Sequence, residues 1–480
     1  MTAPILKHVI IKSTVFCILL SSTQLQAQLN FPPYKITTMA GLGNMGSIDG
    51  LGNNATFSFP NGISVDKNGN VYVADKGNNK IRKITPTGFV SIFAGSGSRG
   101  SKDGPALSAT FDAPHAVAVD KNHNIYVADT NNHKIRKITP DGIVSTLAGS
   151  GFYGSIDGLA AKSTFAAPEG VAVDSNGNIY VADTKSQKIR KITPSGMVTT
   201  LAGSGAASYN DGRGRNAKFN EPKSIATDRF GNLYVTDYNN HAVRKISSAG
   251  VVTTLAGRAP SSVNFPPYQD GQGISARFFN PHGISVDIEG NVYVTDTGNQ
   301  RIRSITSKGV VSTLAGSTST GSKDGPGNQA RFNNPLGIAV DGKKNLYISD
   351  SYNHKIRKGT PQDPEIDVQQ TAGKSLVTST SKISFGTAKT TSAGIRRTFT
   401  IRNTGTTKLT GISFSKSGSH QSDFTVTQSN LREVAPGASA TFTVTFKPAA
   451  IGARTASIRI ASNDRDENPF IINLAGQGAR

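Results

Sequence analysis

A unit of about 54 residues occurs six times in this chain, and this periodicity restricts the fold more than any other feature. The second copy, from Phe111 to Gly142, reads FDAPHAVAVDKNHNIYVADTNNHKIRKITPDG. Its proline recurs in steps of 54, 54, 54, 59 and 54 residues, at Pro60, Pro114, Pro168, Pro222, Pro281 and Pro335. Such a period predicts that each copy is one supersecondary unit, which buries its apolar surface only against its neighbours.

Within each copy, apolar and polar residues alternate with the period of two that is typical of β-strands. In the second copy this alternation predicts four strands, at residues 116–119, 124–128, 134–138 and 143–147. Turns such as Asp66 to Gly69 separate the first two strands and end in a glycine, where the chain needs a positive φ. His123 and Lys344 replace that glycine in the second and sixth copies. Four antiparallel strands repeated six times predict an all-β, six-bladed β-propeller.

The two ends of the repeated region predict how the ring closes. The sixth copy stops after its third strand, near Thr360, and a segment similar to a fourth strand lies before the first copy, at residues 35–41. We expect residues 35–41 to complete the last blade, so that no sheet edge is left open. An Asp-Gly pair precedes every copy, at Asp49, Asp103, Asp157, Asp211, Asp270 and Asp324.

The repeated sequence FxxPxGIxVDxxGNxYVADxxNxKIRKI resembles the NHL repeat, and the resemblance covers about residues 35–360. NHL proteins build six-bladed propellers, so the resemblance implies the same fold that the periodicity predicts. It also implies a binding face. The family includes extracellular scaffolds, sensors and a few lyases and hydrolases, so the resemblance does not select one activity.

Residues 1–27 are predicted to be a secretory signal peptide. Lys7 and Lys12 precede an apolar run at residues 15–20, and the segment ends in the small residue Ala27. This run is too short to span a bilayer. The only cysteine, Cys17, lies inside the peptide, so the exported chain would have neither a disulfide nor a thiol nucleophile. We therefore expect a secreted or periplasmic protein, or one on the outer surface of a bacterium.

The chain has 52 Lys and Arg residues against 31 Asp and Glu, a formal net charge of +21 at pH 7. This balance favours acidic partners such as nucleic acid, anionic lipid or acidic polysaccharide. Export disfavours nucleic acid, so we expect a monomer that binds a protein or acidic glycan at the cell surface and has no transmembrane segment. Alternatively, the excess of positive charge arises because an ordinary surface feature, the Arg-Lys pair in KIRKI, is repeated six times. No basic run exceeds two or three residues, which agrees with this interpretation.

A second domain follows the propeller, which we place at residues 28–360 with a linker at 361–364. Residues 365–480 are predicted to form an immunoglobulin-like β-sandwich. Its seven predicted strands are residues 382–385, 398–402, 410–414, 424–427, 440–446, 455–461 and 470–474. The phrases Asn-Thr-Gly at 403–405, Phe-Lys-Pro at 446–448 and Ser-Asn-Asp at 462–464 resemble the ASPM/SPD-2/Hydin-like domain of the choice-of-anchor D type. Because no sorting module follows the last strand, we expect a spacer or docking role.

Residues that occur in every copy are expected to be structural, because a reaction needs one site and not six. This interpretation applies to Asp75 and its equivalents and to the nearby arginine series that begins at Arg82. It also applies to His133, His241 and His354, because other copies have Asn or Gln at this turn position. The sequence has no phosphate-binding loop, zinc-finger spacing, EF-hand loop or nucleophile elbow.

The position after the repeated proline differs between copies and is therefore the candidate ligand-binding position. We expect its residues to ring one mouth of the central channel; they are Asn61, His115, Glu169, Lys223, His282 and Leu336. NHL-type amidating lyases use histidine at a matching Pro-His position. That resemblance implies His115 and His282 as metal ligands, with Glu169 as a third ligand or base. The two histidines are three blades apart, so we expect them to lie too far from each other to share a zinc ion.

The leading hypothesis from the sequence is a non-enzymatic interaction scaffold without a cofactor or catalytic residues. Its ligand-binding residues would be five of the mouth residues: Asn61, His115, Glu169, Lys223 and His282. The alternative is a metal-dependent lyase or hydrolase with its site at the same mouth, using His115, His282 and Glu169.

Overall fold

The computed structural model describes residues 34–258, 268–370, 373–428, 431–464 and 467–480. The predicted signal peptide, with Cys17, lies outside these residues. The described chain is almost entirely β-structure, and its helices are 3-10 turns of three residues each. None of these helices is long and apolar enough to cross a membrane. The chain divides into two compact units, Met1–Pro361 and Gln362–Arg480.

The first unit contains six antiparallel sheets of five strands, here called blades 1 to 6 in the order of their innermost strands. The innermost strands are Pro60–Val65, Pro114–Val119, Pro168–Val173, Pro222–Thr227, Pro281–Val286 and Pro335–Val340. The second strands are Val71–Asp75, Ile125–Asp129, Ile179–Asp183, Leu233–Asp237, Val292–Asp296 and Leu346–Asp350. The third strands are Lys80–Ile84, Lys134–Ile138, Lys188–Ile192, Ala242–Ile246, Arg301–Ile305 and Lys355–Pro361.

The outer part of each blade consists of a fourth strand and a very short fifth strand. The fourth strands of blades 1 to 6 are Phe89–Ala94, Ile143–Ala148, Met197–Ala202, Val251–Gly257, Val310–Gly316 and Tyr34–Ala40. The fifth strands are Gly50–Leu51, Gly104–Pro105, Gly158–Leu159, Gly212–Arg213, Gly271–Gln272 and Gly325–Pro326. Sequence alternation predicted four strands per blade and missed the fifth, because two residues are too few to show a period.

Short 3-10 helices occupy two positions in the repeat. One set follows the second strands: Lys76–Asn78, Thr130–Asn132, Thr184–Ser186, Tyr238–Asn240, Thr297–Asn299 and Ser351–Asn353. The other set follows the fifth strands: Gly52–Asn54, Ala160–Lys162, Gly214–Asn216, Gly273–Ser275 and Gly327–Gln329. In the turn between the first and second strands, His123 and Lys344 adopt φ values of 63° and 62°, close to the 79° of Gly69 in blade 1.

The hydrophobic core of this unit lies between neighbouring blades and not inside any one of them. For example, Tyr126 and Ala128 of blade 2 share a cluster with Phe165 and Val181 of blade 3. Each second strand is buried along its whole length because blades cover both of its faces. This explains its continuous apolar sequence, which does not alternate as a half-exposed strand would. A copy of the repeat therefore needs both neighbours to bury its apolar residues.

The ring is closed between blades 6 and 1. Tyr34–Ala40 pairs antiparallel with Lys355–Pro361, and Lys35 lies opposite Thr360. The strand that starts the described chain thus lies in the same sheet as the third strand of the last copy. A further core cluster joins Tyr347 and Ile356 of blade 6 to Val71 and Val73 of blade 1, so all six interfaces between neighbouring blades are packed.

A buried arginine holds each blade to the loop that precedes it. In blade 1 the Arg82 side chain has no exposed surface and donates to Asp75 at 2.9 Å and to Asp49 at 2.6 Å. It also donates to the backbone carbonyls of Thr56 and Ile48. The same pairing occurs in all six blades, through Arg82, Arg136, Arg190, Arg244, Arg303 and Arg357. The repeated Asp and Arg residues are therefore structural, and the Asp-Gly series supplies the second carboxylate.

The second unit consists of two four-stranded sheets packed into one core. The strands of the first sheet, in spatial order, are Ile366–Gln370, Ile395–Asn403, Ser439–Phe446 and Phe424–Thr427. Those of the second are Lys382–Lys389, Phe470–Ala479, Gly452–Ala461 and Ser413–Ser417, with Leu409–Thr410 and Glu433–Val434 forming a small separate pair. Phe399 and Phe442 of the first sheet share the core with Ile383 and Ile458 of the second. This β-sandwich has one more edge strand, Ile366–Gln370, than the sequence predicted.

Candidate functional site at the channel mouth

The six variable residues that follow the repeated proline meet at one end of the central channel. Each is the second residue of an innermost strand. They line one cavity of about 560 Å³, called here the mouth cavity; these residues are Asn61, His115, Glu169, Lys223, His282 and Leu336. This volume lies within the range of roughly 300–1,000 Å³ that is typical of small-molecule sites.

The innermost strands come very close together directly below these residues. The next position along each strand holds a small residue: Gly62, Ala116, Gly170, Ser224, Gly283 and Gly337. A Cβ atom added to Gly337 would lie 2.2 Å from the carbonyl oxygen of Asn61 in the neighbouring blade. The small size of all six residues at this level lets the strands converge on the axis, which brings the mouth residues together.

The structure corrects the expectation that His115 and His282 lie too far apart to share a metal ion. Their rings stack with centroids 5.3 Å apart and an angle of 29° between the planes. The candidate ligand atoms of His115, His282 and Glu169 all lie within 4.8 Å of one another. The expectation was wrong because the strands converge so closely that side chains three blades apart reach each other across the axis.

Hydrogen bonds and an ion pair connect four of the mouth residues in a row. The Nε2 atom of His115 lies 3.1 Å from Asn61 Nδ2 and 3.2 Å from Glu169 Oε2. The other carboxylate oxygen of Glu169 accepts a hydrogen bond from Lys223 Nζ at 2.9 Å. Lys223 also lies 3.3 Å from Glu221, and its ammonium is 5.3 Å from the centre of the Tyr238 ring. The Lys223 cation is therefore neutralised within the site.

Two buried polar atoms of the mouth residues lack a hydrogen-bond partner in the described chain: Asn61 Oδ1 and His282 Nδ1. In addition, His115 Nε2 faces both an amide donor and a carboxylate acceptor, although one ring nitrogen either donates or accepts. If the amide oxygen and nitrogen of Asn61 were exchanged, the His115 Nε2–H group could donate to both the Asn61 oxygen and the Glu169 carboxylate. Alternatively, with Nε2 unprotonated, the lone pairs of His115, Asn61 and Glu169 could all face one bound cation. Buried groups left unsatisfied in this way are costly unless something else supplies a partner.

Burial keeps both histidines neutral. Loss of solvent contact holds the pKa of His115 well below its ordinary value of 6.5, and the ammonium groups of Lys76 and Lys223 lower it further. Burial also holds the pKa of His282 well below 6.5, with a further lowering from His115. Neutral imidazole is the form that binds a metal ion or accepts a hydrogen bond.

Lys76 and Tyr238 also line the cavity, and the sequence analysis missed both. They occupy the position after the repeated aspartate, where three other blades have threonine. The threonine hydroxyl donates to the proline carbonyl of the next blade, as Thr130 does to Pro168 at 2.7 Å. Lys76 and Tyr238 replace this structural hydroxyl in blades 1 and 4 with longer side chains. Comparing this position between the copies would have identified Lys76 and Tyr238 as candidate cavity residues, because they differ from the threonine found in three other blades.

The other repeated histidines are structural. His133 Nδ1 accepts a hydrogen bond from the backbone N–H of Ala167 in the next blade, and His241 and His354 make the equivalent bond. Asn79 and two glutamines do the same in the remaining blades through a side-chain oxygen. The shared requirement is an acceptor and not a metal ligand, as the alternation of His, Asn and Gln in the sequence indicated.

Glu365, Asp464 and Glu467 of the second unit form another group whose carboxylate oxygens lie within 4.8 Å of one another. Asp464 accepts hydrogen bonds from the backbone N–H groups of Ile366 and Glu467. These bonds join the edge strand Ile366–Gln370 to the loop before the last strand. The arrangement therefore has a structural explanation within the β-sandwich.

Comparison with protein families finds the NHL repeat at residues 57–84, 111–138, 165–192, 219–246 and 332–358. The Teneurin NHL domain matches residues 267–327, and Cep192 domain 4 matches residues 373–479. Five of the six copies thus match the general repeat, and the copy after the 59-residue step lies within the Teneurin-type match.

Among curated proteins, NHL repeat-containing protein 2 of Homo sapiens is 30% identical over 335 residues, which cover 62% of this chain and 46% of that protein. Protein SUPPRESSOR OF QUENCHING 1, chloroplastic, of Arabidopsis thaliana is 29% identical over 289 residues, covering 56% of this chain and 27% of that protein. The chain thus spans less than half the length of these relatives.

Among solved structures, a protein of unknown function from Bacteroides thetaiotaomicron has a TM-score of 0.53 and 22% identity, covering 68% of this chain and 76% of that one. An auxiliary nutrient binding protein from Bacteroides ovatus has a TM-score of 0.52 and 20% identity, covering 69% of this chain and 78% of that one. At these identities the likeness shows the fold alone.

Proposed function

We propose that this chain, a propeller of NHL repeats, is a secreted or cell-surface interaction scaffold that binds its partner over the mouth cavity. One observation carries the proposal: the residues that differ between the six copies converge in a single cavity, whereas the repeated polar residues contact one another. A site of this kind has one location and one set of side chains, as a specific partner requires. The fold alone does not imply this function, so the argument rests on the site.

The internal pairing of the repeated charges supports this proposal. The six arginines of the KIRKI segments and their equivalents are buried against two aspartates each. The first lysine of the segment is also engaged, since Lys80 donates to Ser47 and Lys134 donates to Ser101. The arginine and the first lysine of these segments therefore have structural partners, which favours a structural role for the KIRKI repeat over a broad basic binding surface.

Exposed aromatic side chains near the mouth suit a binding face. Tyr352 lines the cavity with 56% of its surface exposed, and its ring meets that of Phe59 edge to face at 5.8 Å. Tyr153 is 63% exposed and contacts His133, which lies in the turn after a second strand, at the same end of the blade as the mouth. Exposed aromatic residues are enriched in protein interfaces.

The remaining elements are assigned by sequence pattern. We propose that residues 1–27 direct export and that the β-sandwich, which resembles the choice-of-anchor D type of immunoglobulin-like domain, is a spacer or docking domain. The partner would be a protein or an acidic glycan at the cell surface.

Binding of the labelled chain to intact cells of the organism that encodes it tests the scaffold proposal. The mouth variant Lys76→Thr/Tyr352→Ala changes two cavity side chains, and Lys67→Thr removes an exposed lysine from the turn at the opposite end of blade 1. We expect saturable binding that the mouth variant loses and the control retains. Absence of saturable binding, or equal binding by all three proteins, would contradict the proposal.

A metal-dependent lyase or hydrolase is a second candidate, favoured by the convergence of His115, His282 and Glu169. Two imidazoles and a carboxylate are suitable ligands for zinc or a similar divalent ion. The unpartnered His282 Nδ1 is compatible with such an ion, because that buried nitrogen lacks a hydrogen-bond partner among the described residues. A bound metal would supply Lewis-acid activation of a carbonyl group or a water molecule.

Metal analysis of the purified chain separates the two candidates. The test compares the unmodified chain with a His115→Ala/His282→Ala variant and with His123→Gly, which restores the turn glycine of other copies. One metal ion per chain, lost only in the double variant, would support the enzyme. A metal-free chain after incubation with zinc, manganese and iron would remove that candidate and leave the scaffold.

A further inference from the structure

Lys76 is a cation of the mouth cavity that has no direct ion pair among the described residues. It belongs to the short helix Lys76–Asn78, lines the cavity, and is intermediate in exposure. No hydrogen bond or ion pair links its ammonium to any residue of the described chain. Burial lowers the pKa of Lys76, Glu169 opposes this shift, and Lys223 adds to it.

The other cavity cations already have partners. Lys223 contacts both Glu169 and Glu221, and Arg99 lies 4.0 Å from Asp112. Blade 1 therefore differs from the threonine-bearing blades in directing an extra, unneutralised amine toward the cavity. A ligand anion that reached this amine would form a charge-assisted hydrogen bond in a partly desolvated site, which is stronger than the same contact in open solvent.

The rest of the cavity is suited to a ring with many hydroxyl groups. Tyr352 and Phe59 form an aromatic wall, with 56% and 38% of their surfaces exposed, and such rings pack well against the apolar face of a sugar. The floor combines the ammonium of Lys223 with the carboxylate of Glu169. A hydroxyl group both donates and accepts hydrogen bonds, so it can match either one.

We propose that the mouth cavity binds an acidic oligosaccharide, with one uronate carboxylate on Lys76 and a sugar ring against Tyr352. This inference rests on the proposed scaffold function and names its ligand class. The cavity disfavours a polyacidic peptide, because Glu169 and Glu221 also line it, and such a peptide offers them further carboxylates and no hydroxyl donors. Each ring of an acidic oligosaccharide instead carries several uncharged hydroxyl groups beside its one carboxylate.

Calorimetric titration of the full exported chain with trigalacturonate tests the inference. Its methyl ester, which lacks the negative charge, and triglutamate, which lacks the sugar rings, are the comparison ligands. The informative variant is Lys76→Thr, because threonine occupies this position in three other blades and there bonds the next blade. Lys67→Thr is the matched control, since it makes the same change in charge at the exposed turn between the first and second strands of blade 1.

We expect Lys76→Thr to weaken trigalacturonate binding at least about tenfold without lowering the thermal midpoint, because a charged hydrogen bond is lost and the fold is kept. Lys67→Thr should bind as the unmodified chain does. Tyr352→Ala should weaken binding of the acid and the ester alike, and the unmodified chain should bind the ester and triglutamate more weakly than the acid.

Four results would overturn the inference: no binding of trigalacturonate by the unmodified chain, equal affinity of Lys76→Thr, equal affinity for the ester, or equal affinity for triglutamate. These results are distinguishable from failure of the scaffold function. If cell binding still depends on the mouth, the scaffold stands and only the ligand class is wrong. If cell binding does not depend on the mouth, the scaffold itself is wrong.

Discussion

The imidazole rings of His115 and His282 stack at a centroid distance of 5.3 Å across the axis of the propeller, although they belong to blades 2 and 5. Both side chains are at least nine-tenths buried. Both histidines line the mouth cavity, whereas the innermost strands of all six blades form the walls of a second cavity in the channel. Neutral, stacked histidines therefore lie beside the Lys223–Glu169 pair in the candidate site.

The buried histidines predict a specific dependence of stability on pH. The pKa of each is lower in the folded chain than its ordinary value of 6.5, so the unfolded chain binds more protons below pH 6.5. Their contribution to the free energy of unfolding is complete above pH 6.5 and declines as the pH falls toward the folded pKa values. A His115→Asn/His282→Asn variant, which carries the blade 1 residue, should lose stability less steeply between pH 7 and pH 5. Urea unfolding at several pH values measures this; parallel curves for the two proteins would contradict it.

Replacing a buried arginine should strongly destabilise the propeller. Arg136→Met leaves the carboxylate of Asp129 buried without its cation, and a charge left in this way costs about 3–5 kcal/mol. Arg99→Met is the control, because that side chain is 80% exposed and should change stability by less than about 0.5 kcal/mol. The free energy of unfolding in urea measures both. A similar small effect of the two changes would show that the arginine pairs are not structural.

The glycines below the mouth should not tolerate a side chain. Gly337→Ala would place a Cβ atom 2.2 Å from the Asn61 carbonyl oxygen, so the innermost strands would have to move apart. We expect a loss of about 1–3 kcal/mol, as is typical of overpacking. Gly342→Ala, in an exposed turn of the same blade with no atom within 4 Å, should be nearly neutral. Urea unfolding compares them, and equal midpoints would contradict the convergence of the strands.

Ring closure should depend on the strand Tyr34–Ala40. Ile36 has no exposed surface and belongs to the core between blades 5 and 6, so Ile36→Ala should cost about 2–5 kcal/mol. Lys35→Ala changes the adjacent exposed position of the same strand and should have little effect. Thermal unfolding followed by circular dichroism measures the difference. If both changes are neutral, this strand does not stabilise the last blade.

Local patterns were sufficient to predict the architecture of the first unit. The 54-residue period predicted six blades, the alternation of apolar residues predicted their main strands, and the position after the repeated proline predicted a ring of six variable side chains. These features are properties of a single repeat, and they recur in all six copies of the sequence. The recurrence of Asp75 and Arg82 in every copy likewise predicted a structural role, which agrees with their buried ion pair.

Distances across the axis were decided only by the tertiary structure. Whether His115 and His282 touch depends on the radius of the ring, and that radius results from six strands packing against one another over small residues such as Gly337. No single stretch of sequence contains this radius, so the prediction of two separated histidines was wrong. The role of Lys76 likewise depends on which partners the other blades bring within reach. The repeated blade and the location of its variable positions thus follow from local sequence patterns, whereas the packing of six blades decides which of those side chains meet.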